Sequence, residues 1–179
     1  MLVRGSAKAF SLYELIITVA VVGTILSLGI PSFGSIVADH RLRTDVDALF
    51  HAVYLARKES VFRRRAVTLC PTDGARDCLQ DNDWSAGWMM FVNLDRDLPA
   101  VRDPGEPVLK EYSAGGHSRV IANRRSFSFR TTALRATNGT VIFCDKSGRT
   151  EPRALVISYT GRPRVARNDR RGRPYECPE

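Results

Sequence analysis

Patterns that carry catalysis are scarce in this 179-residue chain. It has no G-x-S-x-G, H-E-x-x-H or P-loop sequence, which excludes the common nucleophilic, zinc-protease and nucleotide-binding arrangements. Its three histidines, His40, His51 and His117, are scattered. Its four cysteines contain no C-x₂₋₄-C pair, which argues against a zinc site. Asp95, Arg96 and Asp97 follow Phe91-Val92-Asn93, but EF-hand spacing is missing, so a surface turn is expected there. No catalytic residue, metal or cofactor is expected. Internal repeats and low-complexity segments are also missing, which excludes solenoids and arrays. Only one run is long and apolar enough to cross a bilayer, which excludes a multi-span membrane protein. At 44% hydrophobic and 26% charged residues, the chain is not disordered as a whole. Its length allows one domain plus an extra element.

What the chain does have is an uneven surplus of positive charge. The formal net charge is +8. Residues 1–118 hold 13 basic and 14 acidic side chains, a net of −1, whereas residues 119–179 hold 14 basic and 5 acidic ones, a net of +9. Thirteen of those 14 are arginine. Such a block points to an anionic, phosphate-bearing partner.

The apolar run is Leu15–Ile30, extended by Phe10, Leu12 and Tyr13. As a helix, Phe10–Ile30 would be about 31 Å long, enough for a hydrocarbon core. Arg4 and Lys8 precede it, which orients the rest of the chain outside the cytoplasm. A membrane anchor is the first reading and a signal peptide the second. The run exceeds the usual signal core, and no A-x-A site follows it. Glu14 is costly at the start of such a helix and calls for a partner. Pro31 closes the run, where a kink or stop is expected.

Residues 32–65 read as an amphipathic helix continuing across Pro31. Leu42, Val46, Leu49, Val53 and Ala56 form one stripe, with Asp39, Arg41, Arg43, Asp45 and Asp47 mostly off it. Arg63-Arg64-Arg65 suits the negative end of the helix dipole. After Ala66 the pattern predicts strands at Ala66–Cys70, Gly87–Asn93, Val108–Ser113, Arg119–Ala122, Ser126–Arg130, Thr140–Asp145 and Ala154–Tyr159. Turns separate them, Asn138-Gly139 giving a strong signal. The fold class is α+β, a long helix packed on antiparallel sheet. Trp84 and Trp88 read as packing residues. The segment after Thr160, rich in Arg, Gly and Pro, is expected to leave the globule. Outside the cytoplasm the four cysteines read as disulfides, with three pairings open. Cys70–Cys78 would close a short loop. Cys144–Cys177 would tie the tail to a core strand.

Lys8-Ala9-Phe10-Ser11-Leu12-Tyr13-Glu14-Leu15-Ile16 resembles the prepilin signature of type IV pilins and type II secretion pseudopilins. The resemblance implies a leader of residues 1–9, cleaved by a prepilin peptidase after Ala9, where the family usually has Gly. It also implies N-methylation of Phe10, a membrane and filament-core helix over 10–31, and a globular part over 32–160. Glu14 would meet the free amine of Phe10 on a neighbouring subunit. The implied partners are other major and minor pilins and the inner membrane, with the globule in the periplasm until assembly into a pilus.

The globular part resembles a narrower group, the FimT/GspH-like minor pilins. The resemblance rests on Val67-Thr68-Leu69-Cys70-Pro71, Trp84-Ser85-Ala86-Gly87-Trp88, Gly139-Thr140-Val141-Ile142-Phe143-Cys144 and Gly161-Arg162-Pro163-Arg164. Some members of the FimT-like branch bind DNA during natural transformation, and the resemblance places that activity at a C-terminal G-R-x-R motif. Residues 161–174 hold Arg162, Arg164, Arg167, Arg170, Arg171, Arg173 and one acid, Asp169, for a net of +5. With Gly161 they form the expected DNA-binding segment, 161–179, contacting phosphates without reading sequence. Arg130, Arg135, Lys146 and Arg149 would extend the patch if the strands bring them near. Arg171-Gly172-Arg173-Pro174 also resembles the core of an AT-hook. The alternatives are a GspH-like pseudopilin or pilus-priming subunit with a purely structural role, and a module for anionic lipid or another polyanion.

Overall fold

A computed structural model of the chain describes residues 11–74, 77–130 and 135–178, apart from the side chains of residues 28–32. Helix α1 spans Leu12–Arg63, running through Pro31 as one element. The chain divides into two compact units, Met1–Val37 and Ala38–Glu179. In the first, hydroxyls satisfy themselves on the helix: Thr18 donates to the Leu15 carbonyl at 2.9 Å and Thr24 to that of Ala20 at 2.7 Å. Its apolar side chains, Leu12, Ile16, Val19 and Ile25 among them, are exposed. Among the described residues, no helix is long and apolar enough to cross a membrane. The expected span includes Phe10 and the side chains of residues 28–30, which lie outside the described residues, as does Ala9.

The second unit holds the core. The helical stripe is buried as the 3.6-residue period requires: Leu42, Val46, Leu49, Val53 and Ala56 are each at most 2% exposed. Burying each large aliphatic side chain there stabilises the fold by about 1.5–3 kcal/mol. The helix ends at Arg63, and the φ of 53° at Arg64 turns the chain out of the helical path. Arg63 pairs with Glu59 at 2.6 Å one turn back.

Among the described residues, nine strands follow: β1 Ala66–Pro71, β2 Gly87–Asn93, β3 Val108–Ser113, β4 Ser118–Ala122, β5 Phe127–Arg130, β6 Arg135–Ala136, β7 Gly139–Asp145, β8 Arg153–Ile157 and β9 Pro163–Ala166. They form two antiparallel sheets, β3-β2-β1-β5-β6 and β4-β7-β8-β9. Their buried faces share one cluster with the helix, including Trp84, Trp88, Phe127, Phe129, Phe143 and Leu155. Trp84 leans on Phe127 with ring centroids 5.4 Å apart, and Trp88 stacks on Tyr112 at 5.4 Å, so both tryptophans pack as expected.

Asp45, expected to face outward, is 8% exposed. Its carboxylate accepts hydrogen bonds from the Tyr112 hydroxyl at 2.7 Å and the Ser118 hydroxyl at 2.5 Å, one from each sheet. Burial, then the Asp45 carboxylate, pushes the Tyr112 hydroxyl well above its usual pKa. Asn138-Gly139 is not a hairpin turn, because β6 and β7 belong to different sheets. Gly139 is needed for close approach: a Cβ there would lie 2.5 Å from Asn123 Oδ1 and 2.8 Å from Phe127 Cε1.

Cys70 is bonded to Cys78 and Cys144 to Cys177, with Cα–Cα distances of 5.5 and 5.9 Å. The pairing left open by the sequence is thus the local one plus the tail tether.

Candidate functional site

The arginine-rich segment does not leave the globule at Thr160. Strand β8 stops at Ile157 and the chain reverses through Ser158–Gly161. The Gly161 N–H donates to the Ser158 carbonyl at 2.8 Å, and the Arg162 N–H donates to the Ser158 hydroxyl at 3.0 Å. Gly161 has φ 72°, and a Cβ there would crowd Phe129 and Ala136 at 3.1–3.2 Å. The returning strand β9 pairs Pro163 with Ile157 and Arg164 with Val156. Alternation then sets the faces. Gly161 and Pro163 are buried, while Arg162 and Arg164 are exposed on one side. β9 is an edge strand, where the missing N–H of Pro163 costs no ladder bond.

A second reversal follows directly. The Tyr175 N–H donates to the Arg167 carbonyl at 3.0 Å, and the Asp169 N–H donates to that of Arg173 at 2.8 Å. Asp169 organises this turn. Its carboxylate accepts the backbone N–H groups of Arg171 at 2.7 Å and Arg173 at 3.0 Å. It also takes a two-pronged bond from the Arg173 guanidinium at 2.9–3.0 Å. The Arg173 backbone N–H, with its side chain and the Arg171 N–H behind it, holds the Asp169 carboxyl below its usual pKa. Gly172 takes φ 80°. The AT-hook-like residues are therefore a closed turn, with Arg173 spent on Asp169. Arg167 lies 3.6 Å from Glu151 in an exposed pair that contributes little.

Between the two reversals lies a groove of about 740 Å³. Arg162 just before β9 and Arg164 within it line one wall, Arg170 and Arg171 line it from the turn, and Tyr159 and Tyr175 also border it. Among the described residues, none of these four arginines has an ion-pair partner. Among the described residues, the one carboxylate on the groove, Asp169, is held by Arg173. Cys177 fixes the chain just after the turn to Cys144 on β7. The backbone that carries the guanidinium groups is therefore held on both walls.

Of the seven residues expected here, four arginines converge, Arg167 and Arg173 have other partners, and Gly161 makes the turn. Arg135 lies beside the site, its guanidinium 5.5 Å from the Tyr159 ring centroid. Lys146 and Arg149 do not join it. They follow Asp145, whereas the groove is at the Gly139 end of β7, about 20 Å away at the strand rise. Arg124, which the sequence did not single out, is close: its Nε donates to the Asn138 carbonyl at 3.3 Å. Among the described residues, no cluster of His, Cys, Asp or Glu is arranged to hold a metal ion.

Comparison with known proteins fits this architecture. Residues 45–161 match the family described as type II transport protein GspH. Among curated proteins, none matches the chain significantly. Two crystal structures of the type IV minor pilin FimU of Pseudomonas aeruginosa PAO1 share the fold. One, in space group P65, has TM-score 0.51 and 20% identity, covering 69% of this chain and 91% of that one. The other, in P21, has TM-score 0.53 and 20% identity, covering 72% and 90%. The family match stops at Gly161, one residue before the first groove arginine.

Proposed function

Because the chain belongs to the GspH family of pilin-like structural subunits, we propose that it is a minor pilin that captures DNA, without sequence preference, on its arginine groove. The observation that carries this reading is the convergence of Arg162, Arg164, Arg170 and Arg171, two at the start of β9 and two on the turn after it, on one open concavity. Guanidinium groups bind phosphate oxygens in pairs and stay charged at every relevant pH. Phosphate contacts hold a protein on nucleic acid but carry no sequence information, which suits uptake of arbitrary DNA in natural transformation. In this reading the chain is cleaved after Ala9, methylated at Phe10 and anchored in the inner membrane. Glu14 there meets the Phe10 amine of a neighbouring subunit in the filament, and the globule faces the periplasm.

The test is a titration of labelled duplex DNA with the full chain in detergent, wild type beside Arg162→Gln/Arg164→Gln. The double variant is expected to bind all sequences about tenfold more weakly. That corresponds to ~0.7 kcal/mol for each exposed guanidinium–phosphate contact. Unchanged affinity rejects the site. One observation favours a purely structural subunit, as in a GspH-like pseudopilin: the residues shared with the family end before the groove arginines begin. Absence of DNA binding by the wild type would reject DNA capture in favour of the alternatives.

A further inference from the structure

The arginine groove does not end at its own rim. A second groove, of about 440 Å³, lies next to it and shares Asn123 as a wall. The adjoining residues Thr137 and Asn138 line the second and the first groove respectively. Arg124 and Arg125 border the second groove, together with Ser126. Both arginines are exposed, and among the described residues neither has an ion-pair partner. Among the described residues, no acidic side chain lines this groove. The loop carrying the two arginines is firmly held. The Asn123 N–H donates to the Thr140 carbonyl at 3.0 Å, and the Thr140 N–H donates to Asn123 Oδ1 at 2.9 Å. The Trp84 indole N–H donates to the Arg124 carbonyl at 3.3 Å from within the core. Arg124 itself leans across the boundary, its Nε donating to the Asn138 carbonyl and leaving the terminal nitrogens as donors.

Resting on the DNA-capture reading, we propose that the two grooves form one track for a single nucleic-acid strand, with Arg124 and Arg125 as a second backbone subsite. The strand passes from Arg162, Arg164, Arg170 and Arg171, over Asn123 and Asn138, to Arg124 and Arg125. Ser126 and Thr137 supply hydroxyl donors of the kind that commonly bind phosphate oxygens. Exposed Tyr159, on the first groove, offers a ring on which an unpaired base stacks. A duplex keeps its bases stacked inside and would use only the four arginines of the first groove. A single strand would use the whole track, and its affinity would grow with length until both grooves are filled.

The experiment compares oligothymidines of about six and about twelve nucleotides, within the roughly 4–16 nucleotides that single-strand sites occupy. Each is titrated with the full chain in detergent. Arg124→Gln/Arg125→Gln is expected to bind the short oligomer like wild type but to lose most of the affinity gained with the long one. Its salt slope on the long oligomer should be shallower by about 1.4, for two fewer phosphates on a single strand. Arg125→Gln alone, which touches no internal hydrogen bond among the described residues, should lose about half of that slope change. An equal long-to-short affinity ratio in wild type and double variant overturns the track while leaving the first groove intact. If wild type binds neither oligomer nor duplex, the capture reading falls and the track with it.

Discussion

Gly161 must be glycine for two reasons that reinforce each other. Its φ of 72° is in the left-handed region, and any Cβ would press on Phe129 and Ala136. Gly161→Ala should cost about 1–3 kcal/mol of stability, read as a lower midpoint in urea. It should also weaken DNA binding, because the turn it permits is what sets Arg162 and Arg164 on one face. Asp45 carries a prediction of a different kind. Asp45→Ala strips a charged acceptor from Tyr112 and Ser118 and leaves both hydroxyls without it, a loss of about 2–4 kcal/mol. Its effect on DNA binding should be small while the protein stays folded. The sequence exposed Gly161 through its motif but hid Asp45. Helical periodicity assigns a face from nearby residues, and the hydroxyls that draw Asp45 inward are 67 and 73 positions away.

At the level of elements, two links tie distant parts of the globule together. Asp39, near the start of the helix in the Ala38–Glu179 unit, receives Arg153 of β8 at 2.7 Å, Arg43 at 2.8 Å and Thr150 at 3.3 Å. The Arg153 hydrogen bond, outweighing burial, holds the Asp39 carboxyl below its usual pKa. A depressed carboxyl pKa gives stability that is present above the unfolded value, about 4, and lost as the pH falls through the folded value. Wild type should therefore lose more stability than Asp39→Asn between pH ~5 and ~2, read from urea midpoints across that range. The second link is Cys144–Cys177, with a sequence separation of 33. Cys144→Ser/Cys177→Ser should lower stability by about 3–4 kcal/mol in the chain-entropy account. It should weaken DNA binding as well, since the turn bearing Arg170 and Arg171 loses its tether. The strands were legible where β-branched and aromatic runs met clear turns, as in Gly87–Asn93 and Val108–Ser113. Strand β9 was not, because Pro is a poor strand former and the segment around it is poor in apolar residues. Pairing with β8 and the buried position of Pro163 decided that element instead.

At the scale of the whole molecule, net charge and placement make different predictions for the proposed DNA binding. The surplus belongs to residues 119–179, at +9, against −1 for the rest. Even within that block the arginines are not equivalent: Arg153 pairs with Asp39 and Arg173 with Asp169, whereas four others face the first groove. If placement governs, two variants with the same change in net charge must behave differently. Arg64→Gln/Arg65→Gln and Arg162→Gln/Arg164→Gln each remove two positive charges. The first pair follows the helix end and lines neither groove. At 0.1 M salt the Debye length is about 10 Å, so a charge that does not touch the bound phosphates adds less than one that does. On duplex DNA, four phosphate contacts give a slope of log K against log salt near −3.6. Wild type and Arg64→Gln/Arg65→Gln should share that slope, and Arg162→Gln/Arg164→Gln should fall to about −1.8. Equal slopes for the two variants would show that the surplus acts as diffuse charge and that the groove is not where the phosphates bind.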